Sequence, residues 1–152
     1  MQNHNILKKI KHIIALKGYI TIYEFLDISL YDTKDGFYNL NKEILGVKGH
    51  FITGPEISQI FGELIAIWLI DFLRKKDYKK INLIELGPGN GTLMADILRV
   101  FKKIYADKLK LNIHFLERSD YLQLKQKKAL DNYNIPTFWH KNFHSLEKNL
   151  TN

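Results

Sequence analysis

Apolar residues along the first part of the chain recur at helical spacing. Ile6, Leu7, Ile10, Ile13 and Ile14 share one side of a helix expected over 4–17, which Gly18 ends. Thr21 to Leu30 reads as a second helix or extended turn, with Tyr23, Phe25, Leu26 and Leu30 apolar. Asp32 to Tyr38 carries turn chemistry, and Asn39 to His50 is a glycine-punctuated loop. Thr53-Gly54-Pro55-Glu56 then opens a longer helix to about Lys75. Thr53 and Glu56 fit a reciprocal cap, and a proline in the first turn forfeits no hydrogen bond. Ile57, Ile60, Phe61, Leu64, Trp68 and Phe72 mark its expected buried stripe, although the apolar surface is broader than one stripe.

From Ile81 the period changes. Ile81 to Leu86 is a short strand, and Gly87 to Gly91 a tight glycine loop. Leu93, Met94, Ile97, Leu98, Phe101 and Ile104 form the apolar face of the next helix. Leu111 to Leu116 is a second strand followed by Glu117, and Ser119 caps a helix over about Asp120 to Asp131. Thr137-Phe138-Trp139 is a third, short strand. This alternation predicts an α/β fold, a parallel sheet preceded by an N-terminal helical segment. The division it suggests is 1–78 for the helical and loop segment and 79–152 for the first half of a Rossmann-like domain.

The chemistry is concentrated in Glu85-Leu86-Gly87-Pro88-Gly89-Asn90-Gly91, between a strand and a helix. Glycines there let the chain turn sharply and let a ligand approach the backbone. The unpaired amides of the helix start favour an anionic or hydrogen-bond-accepting group. Spacing discriminates between ligands. A dinucleotide loop is G-x-G-x-x-G, whereas the third glycine here comes one residue early, and Thr92 stands where the dinucleotide glycine would. The phosphate-binding lysine followed by serine or threonine is absent too. An acidic residue two positions ahead of G-x-G-x-G is the pattern of class I S-adenosyl-L-methionine (SAM)-dependent methyltransferases. Glu85 would then hold the ammonium of the methionine portion, and Glu117, after the second strand, the ribose hydroxyls.

The resemblance is closer than that superfamily. Gly49-His50-Phe51-Ile52-Thr53-Gly54-Pro55-Glu56-Ile57-Ser58-Gln59-Ile60-Phe61-Gly62-Glu63-Leu64 and the stretch from Glu85 to Arg99 resemble the MidA-like family of SAM-dependent methyltransferases. Leu30-Tyr31-Asp32, Gly36-Phe37-Tyr38 and Ile113-His114-Phe115-Leu116-Glu117 fit as well, so the resemblance spans about Gly18 to Leu146. His50, Gly54 and Asn90 depart from the aspartate, the serine or alanine, and the arginine common in that family.

The resemblance implies the N-terminal part of a class I methyltransferase fold, SAM as cofactor and a protein substrate methylated on arginine. It links the chain to respiratory complex I assembly, through a mitochondrial relative of that function. It implies a cytoplasmic protein in a bacterium, and a mitochondrial matrix location for eukaryotic relatives. The segment Thr53 to Gln59 resembles one that packs near the cofactor, which adds Thr53, Pro55 and Glu56 to the candidate site. Family members are more than twice as long, so the expectation is a truncated or split product that a second chain carrying the C-terminal half would complete. The alternative is a fragment without independent catalytic activity. No catalytic residue is assigned, because the carboxylates that would orient a guanidinium are expected in the part beyond this chain.

Composition narrows the alternatives. The chain has 152 residues, is 45% hydrophobic and 12% aromatic, and contains no cysteine. That excludes a disulfide framework, a thiol nucleophile and any cysteine-ligated metal site. Net charge is +7, but its arginines are only Arg74, Arg99 and Arg118. It reads as a solvated lysine surface, and nucleic acid is not an expected partner. The most apolar run, Leu64 to Ile70, is far shorter than the ~20 residues needed to span a bilayer. His140 and His144 have a helical i, i+4 spacing but no evident third ligand, so no metal is expected. Tyr31, Phe37 and Tyr38 suit a substrate groove or a plain aromatic core equally. Glu24, Asp27 and Asp32 are not distinguishable from surface carboxylates.

Overall fold

Gly18 ends the first helix as the sequence suggests. α1 spans Asn3–Lys17, and Gly18, at φ +80°, donates its N–H to the Ile14 carbonyl at 2.8 Å. The computed structural model describes residues 3–40, 44–46, 49–76, 78–104 and 110–150. They fall into two units, Met1–Lys42 with Ser119–Leu122, and Glu43–Arg118 with Gln123–Asn152. Of the expected loop Asn39 to His50, positions 41–43 and 47–48 lie outside the described residues.

In the first unit α2 covers Ile22–Tyr31. Thr21 and Glu24 close a reciprocal cap: the Glu24 N–H donates to Thr21 Oγ1 at 3.1 Å, and the Thr21 N–H to Glu24 Oε2 at 3.0 Å. Lys17 also binds Glu24, and this bond together with those from Thr21 draws the carboxyl down to about 2. Asp32 accepts the amides of Lys34 and Asp35 and pairs with Lys9. Both carboxylates are thus engaged in shaping the chain. Tyr31 and Phe37 each pack on Tyr38, with ring centroids 5.4 Å apart.

The second unit holds a parallel sheet in the order β1 (Lys80–Leu86), β2 (Lys110–Leu116), β3 (Thr137–His140). Ile81 pairs with Leu111 and Leu86 with Leu116, while Leu116 pairs with His140. The helices are α3 (Gly54–Ile57), α4 (Gln59–Arg74), α5 (Thr92–Ile104), α6 (Asp120–Leu130, starting within the Ser119–Leu122 segment) and α7 (Phe143–Leu150).

One face of the sheet is packed by two clusters. Ala66, Ile70 and Leu73 of α4 meet Ile97, Val100 and Phe101 of α5 over Ile81 and Leu83. Met94 and Leu98 of α5 meet Leu130 of α6 over Ile113 and Phe115. Each fully buried valine, leucine, isoleucine, methionine or phenylalanine side chain among these contributes about 1.5–3 kcal/mol. α7 packs on β2 and β3, with Leu146 buried.

Four expectations are corrected. The expected long helix is two, because Ser58 leaves helical geometry at φ −150°, ψ 125° and caps α4 by accepting the Ile60 amide. Thr53 makes no side-chain cap bond: the Glu56 N–H donates to the Thr53 carbonyl at 2.9 Å instead, and the Glu56 carboxylate accepts from Asn90 and Thr92. The expected buried stripe of this helix faces outward: Ile57, Ile60, Phe61, Leu64, Trp68 and Phe72 are exposed, Trp68 by 66%. The buried line is Gly62, Ala66, Ile70 and Leu73. α4 is apolar almost all round, and its small residues decide which side α5 approaches. A Cβ on Gly62 would stand 2.5 Å from Asp96 Cβ. Ile104, expected on the inner face of α5, is exposed as well.

Candidate functional site

The two candidate acids lie at the carboxyl ends of neighbouring strands, Glu85 opposite Phe115 in the register and Glu117 just past the end of β2. The Gly87 N–H continues the ladder to the Leu116 carbonyl at 3.0 Å, so Glu117 lies one position past Leu116, beside the glycine loop. In open parallel sheets ligands bind beyond the carboxyl ends of the strands.

The loop is held open by its glycines. Gly87, Gly89 and Gly91 all have positive φ. At Gly89 (φ +57°) a Cβ would lie 2.8 Å from Leu45 Cδ1, and at Gly91 (φ +83°) 3.2 Å from Gln126 Cα. Both positions therefore favour glycine for conformation; at Gly91 the Gln126 backbone also crowds the space, whereas at Gly89 the contact is the movable tip of Leu45. Gly91 donates to the Pro88 carbonyl at 2.8 Å, which closes the turn, and Pro88 is buried. α5 starts at Thr92.

Glu85 is the electrostatic feature of the site. Its Oε2 is buried without a hydrogen-bond partner, and burial pushes the carboxyl up to about 7. An uncompensated carboxylate oxygen is costly until a cation reaches it. Asn90 Oδ1 is likewise buried and unpartnered.

Glu117 is buried and tied to the loop through a residue that the sequence reading missed. Gln126 Nε2 donates to the Gly89 carbonyl at 2.8 Å and to Glu117 Oε2 at 3.2 Å. Trp139 Nε1 donates to Gln126 Oε1 at 3.0 Å, fixing the amide's orientation. Gln126 is fully buried. The available signal is its place between Leu122 and Leu130, at i+4 and i−4, where an apolar residue would ordinarily stand.

Of the three residues ahead of α4, Glu56 reaches the loop: its Oε1 accepts from Asn90 Nδ2 at 3.1 Å and from Thr92 Oγ1 at 2.7 Å. Thr53 and Pro55 flank it at the start of α3. His140 and His144 do not share a helix, since one ends β3 and the other lies on α7. His140 Nε2 instead meets His114 Nδ1 at 3.1 Å. Among the described residues no three histidine, cysteine, aspartate or glutamate side chains gather as for a metal.

A family model described as S-adenosyl-L-methionine-dependent methyltransferase matches residues 64–151. The chain belongs to this family. Its cofactor is SAM. The chain is 36% identical over 141 residues to the Bos taurus "Protein arginine methyltransferase NDUFAF7, mitochondrial", covering 89% of this chain and 32% of that relative. With the Mus musculus protein of the same name it is 40% identical over 134 residues, 86% of this chain and 30% of the relative. The chain thus spans about a third of the length of these relatives. A crystal structure of a Burkholderia thailandensis protein bound to S-adenosyl-homocysteine superposes with a TM-score of 0.75 at 21% identity, covering 93% of this chain and 38% of that one. The α/β fold of this methyltransferase-family chain is therefore that of the expected class. No helix among the described residues is long and apolar enough to cross a membrane.

Proposed function

We propose that this chain carries the cofactor-binding part of a protein methyltransferase with arginine as the methyl acceptor. The observation that carries this reading is the buried, unpartnered Oε2 of Glu85 at the mouth of the glycine loop. A carboxyl held near 7 by burial is neutral or charged at little cost, and an arriving ammonium would draw it fully into the charged form. Glu117, kept buried beside the loop by Gln126, is suited to accept from ribose hydroxyls. Gly87 to Gly91 supply backbone close to the ligand, with Asn90 adding an acceptor. Thr53, Pro55 and Glu56 form the flank of the same site. On this reading 79–152 is the first half of the cofactor-binding sheet, and 1–78 the helical segment ahead of it.

When bound, SAM supplies an activated methyl group. The residues of this chain bind and orient it and exclude water. The acceptor-orienting carboxylates are proposed for the region of the relatives that this chain does not span. The arginine acceptor is supported by the names of the relatives. Their mitochondrial location supports a matrix protein in a eukaryotic host, with the cytoplasm as the bacterial counterpart.

A second polypeptide that continues the sheet is the proposed partner. Among the described residues β1 pairs with β2 alone. Ile84 and Leu86 are exposed, as is the outer side of α4. A strand edge left open beside apolar surface is a template for further strands.

Calorimetric titration with S-adenosyl-homocysteine tests the reading. One saturable site, weakened about tenfold or more by Glu85→Ala and by Glu117→Ala, is expected. Absence of binding at millimolar ligand would refute it.

A further inference from the structure

The segment ahead of α3 folds back against the glycine loop. Leu45 and Phe51 form an isolated parallel bridge, and the His50 N–H donates to the Ile44 carbonyl at 2.7 Å. From this small knot the Leu45 carbonyl accepts from Asn90 Nδ2 at 3.4 Å, alongside the bond from the same nitrogen to Glu56. One Glu56 oxygen thus holds side chains on both sides of Gly91, the amide of Asn90 and the hydroxyl of Thr92.

The orientation of the Asn90 amide follows. Its nitrogen faces a carboxylate and a carbonyl, both acceptors, so a flipped amide would set oxygen against oxygen. Oδ1 is consequently turned to the other side, buried and without a partner. A buried acceptor left open costs about 1–3 kcal/mol.

We propose that Glu56 is a positioning residue of the cofactor loop: it locks Asn90 and Thr92 so that Asn90 Oδ1 stands preset to accept from an N–H or O–H donor of the bound cofactor. The inference rests on the reading that this loop binds SAM. It separates Glu56, which acts through Asn90, from Glu85 and Glu117, which meet the ligand themselves. A donor of this kind is present in the ammonium of the amino-acid portion and in the ribose hydroxyls.

The test compares the full chain with Glu56→Ala, Glu56→Gln, Asn90→Ala and the Glu56→Ala/Asn90→Ala pair. Hydrogen exchange of the unliganded loop amides and calorimetric affinity for S-adenosyl-homocysteine and for methylthioadenosine, which lacks the amino-acid portion, are the readouts. Glu56→Ala is expected to speed exchange at 89–92 about tenfold and to weaken S-adenosyl-homocysteine about tenfold. Glu56→Gln keeps an acceptor oxygen and is expected to restore both to within about threefold. The double variant is expected to bind no more weakly than Asn90→Ala, because the two residues act as one unit. A loss confined to S-adenosyl-homocysteine identifies the ammonium as the donor; a loss shared with methylthioadenosine identifies the ribose.

Unchanged loop exchange in Glu56→Ala, or additive losses in the double variant, would overturn the proposal. If Glu56→Ala does not fold, a Glu56→Gln chain as impaired as Asn90→Ala would overturn it equally. A wild-type chain that binds neither ligand would refute the cofactor reading and the donor assignment together, while the exchange comparison still decides whether Glu56 orders the loop.

Discussion

The side-chain amide of Gln126 donates to the backbone carbonyl of Gly89 at 2.8 Å, joining α6 to the middle of the glycine loop. The same nitrogen reaches Glu117 at 3.2 Å, so one buried amide sets the spacing between the loop and the acid that follows β2. Gln126→Leu roughly keeps the volume but removes the bonds that Gln126 makes with the Gly89 carbonyl, the Glu117 carboxylate and the Trp139 indole. A loss of about 2–4 kcal/mol in unfolding free energy is expected from denaturant titration, with a weaker response to S-adenosyl-homocysteine. A stability within 0.5 kcal/mol of wild type, on the order of a neutral surface change, would contradict this role.

Glu85 makes stability depend on pH in an unusual direction. Its folded pKa is raised from 4.5 to about 7, so the folded chain holds a proton that the unfolded chain has released. Stability from this group therefore declines as pH rises from 4.5 through 7. Glu85→Gln removes the dependence and is expected to stabilise the unliganded chain at pH 8 by about 1–3 kcal/mol, while weakening S-adenosyl-homocysteine binding. Thermal melts at pH 5 and pH 8 measure the difference. A Glu85→Gln variant less stable than wild type at pH 8 would count against it.

The buried pair His114–His140 has the opposite slope. Burial holds both imidazoles below 6.5, with the neighbouring His140 also lowering His114, although a backbone bond at Ser145 opposes the shift in His140. The unfolded chain binds these protons more readily, so this contribution is present above 6.5 and lost as pH falls below it. In a Glu85→Gln background the acid loss stands alone. The melting temperature of that variant should fall between pH 7.5 and 5.5, and His140→Gln should reduce the fall. A melting temperature flat across that interval would contradict it.

Gly62 sets the approach of α4 to α5. A Cβ there would lie 2.5 Å from Asp96 Cβ, and Asp96 is fixed by the Arg99 guanidinium at 2.7 Å. Gly62→Ala, which favours an isolated helix, should here cost about 1–3 kcal/mol through overpacking. Chemical denaturation gives the sign directly, and a stabilised variant would show that the helices can part without penalty.

Elements whose local chemistry agrees with their tertiary role were legible in the sequence. Gly18, the three strands and the glycine loop all carry their reason within a few residues of themselves. α4 did not, because a helix apolar on nearly every side has no single period, and the close contact at Gly62 depends on Asp96 from another helix. Glu56 fits a local cap by spacing, yet a partner in the distant loop took its carboxylate. Gln126 gave only the weak sign of a polar residue at an inward position. In each case the missing information was long-range.

The central claim is that the loop from Glu85 to Gly91 receives a SAM-type ligand. Amide-resolved NMR of the labelled chain during titration with S-adenosyl-homocysteine, and separately with a reduced nicotinamide dinucleotide, tests it residue by residue. Saturable shifts centred on the amides of 85–92 and Glu117, with Thr53 and Glu56 on their flank, produced by the first ligand alone, are the expected result. Unmoved loop resonances at millimolar S-adenosyl-homocysteine, or equal shifts with the dinucleotide, would contradict the account.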